Sequence, residues 1–125
     1  MNVVDSSAWL EYFADGPNAS FFAAPIERPA ELLVPTLSLY EVFKRLLQQR
    51  GEQVALQAVS AMQQATVVPL DAAIALRAAR VSLGRRLAIA DSVMLATAEE
   101  HEATFWTQDG DFAEIPGVQY IARLP

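Results

Sequence analysis

The sequence contains no cysteine and a single histidine, His101. Without cysteine the chain can form no disulfide, no thiolate zinc site and no cysteine nucleophile. One histidine leaves little room for a histidine-based metal site or a serine–histidine–aspartate triad. His101 stands near the end of a predicted helix, where we interpret it as a favourable positive charge and not as a catalytic base. Any chemistry of this chain is therefore expected to depend mainly on carboxylates.

Long apolar runs are also missing. Hydrophobic residues make up 53% of the sequence, yet no run reaches the roughly 18 uncharged apolar residues needed to cross a bilayer. The opening segment MNVVDSSAWL has no basic stretch and contains Asp5, which is unlike a secretory signal. These features predict a cytoplasmic protein. The length of 125 residues predicts one domain over 1–125.

Positive charge is scarce, with 9 lysines and arginines against 15 acids and a net charge of −6. Proteins that bind nucleic acid usually offer a basic patch to the phosphates, so the total charge argues against such a ligand. A cluster of acids that holds cations would make the total negative by itself, however. The distribution of charge therefore matters more than its sum.

Short apolar segments alternate with segments of helical periodicity along the chain. This order predicts an α/β domain whose mainly parallel central sheet is flanked by helices on both faces. Such sheets bind ligands beyond the carboxyl ends of their strands. The predicted strands are NVVD, ELLV, TVVPL, TFWT and VQYIA, and the predicted helices cover 6–15, 18–27, 36–50, 52–64, 71–83 and 88–98, with Gly84 ending the fifth helix.

The helix AIADSVMLATA, residues 88–98, is apolar nearly all round. Such a helix belongs inside a protein, where an ionised carboxylate is costly unless it has a partner. Asp91 therefore requires an explanation. Three further acids lie at predicted strand ends or early in the helices that follow strands, and all four are expected at one edge of the sheet. The set is Asp5, Glu41, Asp91 and Asp109, with Asp111 as a possible fifth member.

Most of these acids also have an ordinary structural interpretation. Asp5 could cap the first helix, and Asp91 could be an N-cap if its helix begins late. Asp109 and Asp111, with a glycine between them, could simply form a polar turn. These interpretations fit each acid alone but account poorly for their predicted convergence.

Glu41 has two such interpretations. The S-x-x-E spacing fits a capping box with Ser38. Glu41 could instead pair with Lys44 and Arg45, three and four residues further along the helix.

Several carboxylates without other ligands favour a hard divalent cation. Magnesium and manganese prefer oxygen ligands and are typically held by a few carboxylates together with substrate phosphates. One or two such ions can activate a water for attack on phosphorus and stabilise the leaving oxygen. A bound metal would also balance the charge of Asp91.

Four segments in order resemble a known family: VVDSSAWLEYF, LYEVFKRL, GRRLAIADSVMLATAEEH and TFWTQDGDF. They look like PIN-domain ribonucleases, in particular the VapC toxins of toxin–antitoxin pairs, over almost the whole chain. The resemblance implies a metal-dependent endoribonuclease with Mg²⁺ or Mn²⁺ as cofactor. It also implies a homodimer and a small antitoxin that blocks the acidic site. Asp5, Glu41 and Asp91 match the family's first three acids, and either Asp109 or Asp111 could be the fourth, with Asp109 favoured because it is nearer the strand end.

Other polar residues are candidates for supporting roles. Ser6 and Thr107 could hydrogen-bond a carboxylate or a metal-bound water, although small hydroxyls at strand ends more often bond the backbone. Trp9 and Trp106 are interpreted as core residues. Two groups of basic residues could hold an RNA backbone or could form ordinary solvated helix faces: Lys44, Arg45 and Arg50, and then Arg77, Arg80, Arg85 and Arg86.

Two other functional classes remain open. A phospho-acceptor receiver domain is also a small α/β unit with an acidic magnesium site, but it needs a lysine at the end of a late strand. The only lysine here, Lys44, lies in an earlier predicted helix. A metal-binding interaction module without turnover is also compatible with the acids, and a nuclease that acts on DNA is a variant of the ribonuclease hypothesis. We expect the antitoxin to present an arginine or similar cation to them.

Overall fold

The computed structural model describes all 125 residues and contains one five-stranded sheet. Every neighbouring pair of strands is parallel, and the order is β3-β2-β1-β4-β5. This confirms the predicted α/β class. Receiver domains have the order 2-1-3-4-5, so the receiver hypothesis is wrong. The strands are β1 (Asn2–Val4), β2 (Leu32–Pro35), β3 (Thr66–Val68), β4 (Thr104–Thr107) and β5 (Gln119–Tyr120).

Six helices cover the two faces of the sheet. Val3 and Val4 are both fully buried and belong to opposite core clusters, because consecutive side chains of a strand point to opposite faces. One cluster is completed by the last two helices and the other by the first four. The helices are α1 (Ser6–Phe13), α2 (Ala19–Ile26), α3 (Thr36–Arg50), α4 (Glu52–Met62), α5 (Ala72–Arg85) and α6 (Ile89–Glu100).

Helix α6 is as buried as its composition predicts, since every residue of 92–98 is buried. Its two buried hydroxyls find partners within the helix. Ser92 Oγ donates to the carbonyl of Ala88 at 2.8 Å, and Thr97 Oγ1 donates to the carbonyl of Val93 at 2.7 Å. No residue of this span therefore leaves a polar side chain unsatisfied, and Asp91 stands at the edge of the buried segment.

One predicted helix end is wrong. Gly84 lies inside α5, and the residue that adopts the left-handed conformation at its end is Arg86, with φ of 57°. Val81 within α5 and Leu87 just beyond its end, on either side of Gly84, both pack against the core.

The two tryptophans and His101 lie where the sequence analysis places them. Trp9 is 1% exposed, and Trp106 is half-buried against Phe21. His101 is the C-cap residue of α6. None of the helices combines the length and apolar character needed to span a membrane.

Candidate metal centre

Asp5 is the residue that follows β1, and it is only 5% exposed. It occupies the N-cap position of α1, yet its side chain makes no capping hydrogen bond. The carboxylate instead accepts hydrogen bonds from Thr107 Oγ1 at 2.9 Å and from Ser7 Oγ at 3.2 Å. Asp5 is thus the N-cap residue by position, but its carboxylate is held by the hydroxyls of Thr107 and Ser7 and makes no capping bond.

Glu41 lies in the second turn of α3 and is half-buried. It accepts a hydrogen bond from Ser6 Oγ at 2.8 Å. The capping box is wrong because the helix begins at Thr36, which puts Ser38 inside it, and Ser38 Oγ donates to Met94 Sδ. No ion pair joins Glu41 to the basic residues that follow it on α3. Of the two possibilities for Ser6, the bond to a carboxylate is therefore the one present, not the more common bond to the backbone.

Asp91 is the third residue of α6 and is half-buried. The N-cap is Ala88, so the interpretation of Asp91 as a cap is also wrong. Its place in the first turn puts the carboxylate near the positive end of the helix dipole, which favours a negative charge. No basic side chain pairs with it.

Asp109 and Asp111 form a polar turn after β4, as one interpretation predicted. Asp109 Oδ1 accepts a hydrogen bond from the backbone N–H of Asp111, and the N–H of Asp109 donates to Thr107 Oγ1, both at 2.9 Å. Thr107 thus contacts the carboxylate of Asp5 and the backbone of Asp109, so the less common of its two possible roles is the one present. The turn also brings two carboxylates close to Asp91. Carboxylate oxygens of Asp91, Asp109 and Asp111 all lie within 4.8 Å of one another.

The four predicted acids line a single cleft of about 430 Å³. Four other lining residues were not identified from the sequence as part of a site: Ser7, Leu10, Tyr40 and Gln48. Ser7 follows Asp5 at the short spacing typical of a local hydrogen bond to a carboxylate. Gln48 lies seven positions after Glu41, on the same side of the helix, and such spacing was a usable signal. The lining also includes Lys44 and Arg45.

Burial and neighbouring negative charges raise the pKa of two of the acids, Asp5 and Asp91. Burial raises the pKa of Asp5 to about 6, against the lowering effect of its hydrogen bond from Thr107, and the charge of Asp109 adds to the rise. Burial likewise raises the pKa of Asp91 to about 6, and the charges of Asp5, Asp109, Asp111 and Glu41 raise it further. Both carboxylates are thus costly to ionise in the protein alone.

This arrangement fits a hard divalent cation. All the donors are carboxylate or hydroxyl oxygens, which suit magnesium and manganese, and no zinc-type ligand is near. None of these acids forms an ion pair with a basic side chain. A bound divalent ion would supply the missing positive charge.

The two predicted basic groups differ in position. Lys44 and Arg45 line the acidic cleft, whereas Arg50 lines a groove next to it. The other group is on α5 or follows it, and none of its members reaches the cleft. Arg77 is engaged by Glu99 and Glu100, with Nε at 2.7 Å from Glu100 Oε2. The other members of that group are Arg80, Arg85 and Arg86.

Several solved structures are similar to this chain over nearly its whole length. A toxin–antitoxin complex from Klebsiella pneumoniae has a TM-score of 0.81 and 23% identity, with 94% of this chain and 95% of that chain covered. A VapC toxin from Mycobacterium tuberculosis that cleaves the sarcin–ricin loop has a TM-score of 0.78 and 19% identity, over 95% and 98% of the two chains. DNA-bound VapBC from Salmonella typhimurium has a TM-score of 0.72 and 14% identity, over 97% and 96%. At these identities the likeness is one of fold.

A comparison with curated protein sequences gave no match. The family model of the PIN domain, in contrast, matches residues 3–118. That span contains β2, β3, β4, most of β1 and every acid of the cleft, and only the short edge strand β5 lies beyond it. The chain therefore belongs to the PIN-domain family.

Proposed function

We propose that this protein is a metal-dependent endoribonuclease toxin of the VapC type, which hydrolyses RNA phosphodiester bonds with Mg²⁺ or Mn²⁺. The observation that carries the proposal is the cleft in which Asp5, Glu41, Asp91 and Asp109 meet without forming an ion pair to any basic side chain. Membership of the PIN family supports it, as do solved neighbours described as toxins of toxin–antitoxin pairs.

The acids of the cleft would be the ligands of the cation. Asp91, Asp109 and Asp111 have oxygens close enough to share one ion. Asp5, which follows β1, lines the same cleft and is fixed by Thr107 and Ser7, so its carboxylate would add to the ligands of the ion. A bound divalent ion would act as a Lewis acid on the phosphate and lower the pKa of a bound water.

Other residues of the cleft would bind and orient the RNA. Lys44 Nζ lies 3.3 Å from Tyr40 Oη and over the Tyr40 ring, which holds the ammonium group at the rim. Arg45 adds a planar guanidinium that suits a phosphate. These two cations would hold a phosphodiester against the acids, and Ser6 would keep Glu41 in place.

A small antitoxin is the proposed partner, since neighbours are described as complexes of this kind. We propose that it inserts a cation, such as an arginine, among the unbalanced acids. The second proposed partner is another copy of this chain. Leu76 and Leu83 lie seven residues apart on α5 and are 64% and 87% exposed, and the nearby Ile89 is 82% exposed. Such an apolar face is typical of a buried interface.

Cleavage of end-labelled total RNA by the partner-free protein tests the function. The protein is titrated with manganese and magnesium, and a chelator serves as the control. We expect metal-dependent cutting that falls at least about 100-fold in Asp91→Asn, since even residues that only support a metal ligand cost 10- to 100-fold. Arg77→Gln is the matched surface control and should cut normally. Unchanged cutting by Asp91→Asn would disprove the assignment.

The same assay separates the alternatives. Binding of manganese without cleavage of RNA or DNA would support a non-catalytic interaction module. Equal cleavage of DNA would argue against a ribonuclease, since the 2′-hydroxyl is the group by which proteins distinguish RNA.

A further inference from the structure

A groove of about 740 Å³ adjoins the acidic cleft. Ser7, Leu10 and Arg45 line both cavities, so the two are continuous. The groove passes between α1, the α3–α4 pair and the C-terminal segment around Arg123. A polymer that reaches the acids can therefore extend into it.

The groove concentrates free positive charge. Arg45, Arg50 and Arg123 all line it, all are exposed, and none forms an ion pair. One acid, Glu11, also lines it, but that carboxylate accepts the backbone N–H of Asn18 at 2.7 Å. In a protein of net charge −6, three unpaired guanidinium groups on one groove favour a polyanion.

The backbone next to Arg123 is held by a buried amide side chain. Asn18, only 2% exposed, donates through Nδ2 to Gln108 Oε1 at 3.0 Å and to the carbonyl of Ala122 at 3.1 Å. Gln108 precedes Asp109 of the acidic cleft in the chain. The contact therefore ties the segment that carries Arg123 to the loop that carries a cleft acid.

We propose that this groove binds the backbone of single-stranded RNA on one side of the cleaved phosphate, with the three arginines contacting its phosphates. This inference rests on the proposed ribonuclease function. RNA is favoured over an acidic peptide because the groove continues from a site built for a phosphodiester, and because the guanidinium fork matches phosphate oxygens. Seven of the 15 lining residues are hydrophobic, which suits sugars and base faces.

The test is the salt dependence of binding, measured without cleavage. A fluorescein-labelled 12-nucleotide RNA of unstructured sequence is titrated with the full chain in EDTA, and anisotropy is followed from 50 to 300 mM KCl. For a single strand, log K falls against log salt by about 0.7 for each neutralised phosphate. Arg123→Gln should reduce this slope by about 0.7, and the Arg45, Arg50 and Arg123 triple glutamine variant by about 2.

Two variants control the interpretation. Arg80→Gln removes the same charge from an exposed, unpaired arginine on α5 and should leave the slope unchanged. Asn18→Ala as a single substitution should weaken RNA binding. In a protein that already carries Arg123→Gln it should cause no further loss of affinity, because Asn18 acts by positioning Arg123. Thermal denaturation confirms that each variant is folded.

The outcomes are decisive. An unchanged slope in Arg123→Gln, or an equal change in Arg80→Gln, overturns the proposal. Tighter groove binding of a 12-residue polyglutamate than of the RNA would assign the groove to an acidic peptide and also overturn it. If cleavage depends on manganese and on Asp91 but Arg123→Gln leaves the salt slope unaltered, only the proposal that the groove binds RNA would be refuted. If the arginine variants reduce the slope of log K against log salt but the protein cleaves no RNA, the ribonuclease function would be refuted instead.

Discussion

Thr107 is the residue that connects the acids, since its buried hydroxyl donates to Asp5 and accepts from the N–H of Asp109. Thr107→Val keeps the shape and removes both hydrogen bonds. We expect manganese affinity and RNA cleavage to fall about 10- to 100-fold, and stability to fall by about 1–3 kcal/mol. Isothermal titration and denaturant unfolding measure the two effects. Thr107→Ser retains the hydroxyl and should restore affinity; failure of this rescue would show that the methyl group matters instead.

Asp91 should destabilise the metal-free protein at neutral pH. Its pKa is raised from 3.8 to about 6 in the folded state, so the associated stability is complete below about pH 4 and is lost as the pH rises through about 6. Asp91→Asn removes this cost. Because solvent reaches the half-buried carboxylate, we expect a gain of about 1 kcal/mol, or about 4 °C in Tm at pH 7.5.

Thermal denaturation in EDTA at pH 7.5 and pH 4.5 tests whether Asp91→Asn stabilises the metal-free protein. The gain should shrink at pH 4.5, where wild-type Asp91 is mostly protonated. Manganese should stabilise the wild type more than the variant, because metal binding adds to folding stability. A variant that is less stable than the wild type at pH 7.5 would contradict the account.

At the scale of elements, Gly84 and Gly51 differ in what an alanine substitution would do. At Gly84 it would change helix propensity, and at Gly51 it would strain the backbone. A Cβ on either Gly84 or Gly51 would meet no atom within 4 Å, but only Gly51 has a positive φ, of 91°. Gly84→Ala within α5 should stabilise the protein by about 0.8 kcal/mol. Gly51→Ala should destabilise it by about 1–3 kcal/mol, since an L side chain is strained there.

Urea midpoints of the two variants measure both effects under one condition. Neither glycine touches the acidic cleft, so RNA cleavage should be unchanged in Gly84→Ala. Destabilisation by Gly84→Ala would indicate that α5 ends at this residue, as the sequence alone predicted.

At the scale of the whole molecule, the exposed face around Leu83 predicts self-association. Leu83→Glu places a charge where Leu76 and Ile89 are also exposed, and a charge buried in an interface without a partner is costly. We expect the wild type to sediment as a dimer and Leu83→Glu as a monomer at about 10 μM, measured by analytical ultracentrifugation. Leu124→Glu, at an exposed apolar residue of the C-terminal segment, is the matched control. A monomeric wild type would refute the dimer.

Much of the fold could be predicted from local patterns. The alternation of short apolar runs with helical periodicity gave the class, and all five predicted strands exist within a few residues of their predicted limits. The strand VQYIA is reduced to Gln119–Tyr120, because it pairs only with the last two residues of β4. Individual acids were harder to interpret, since a cap and a cleft residue can share one sequence position, as Asp5 does.

The sequence by itself determined the element order, the apolar character of α6 and the scarcity of ligands other than carboxylates, because composition and periodicity are local properties. Only the tertiary structure decided the strand order, which brings β1 between β2 and β4. That order places Thr107 against Asp5 and ties Asn18 to Gln108 and Ala122. These contacts join residues 90 to 104 positions apart. They depend on how helices pack across both faces of the sheet, which no local pattern specifies.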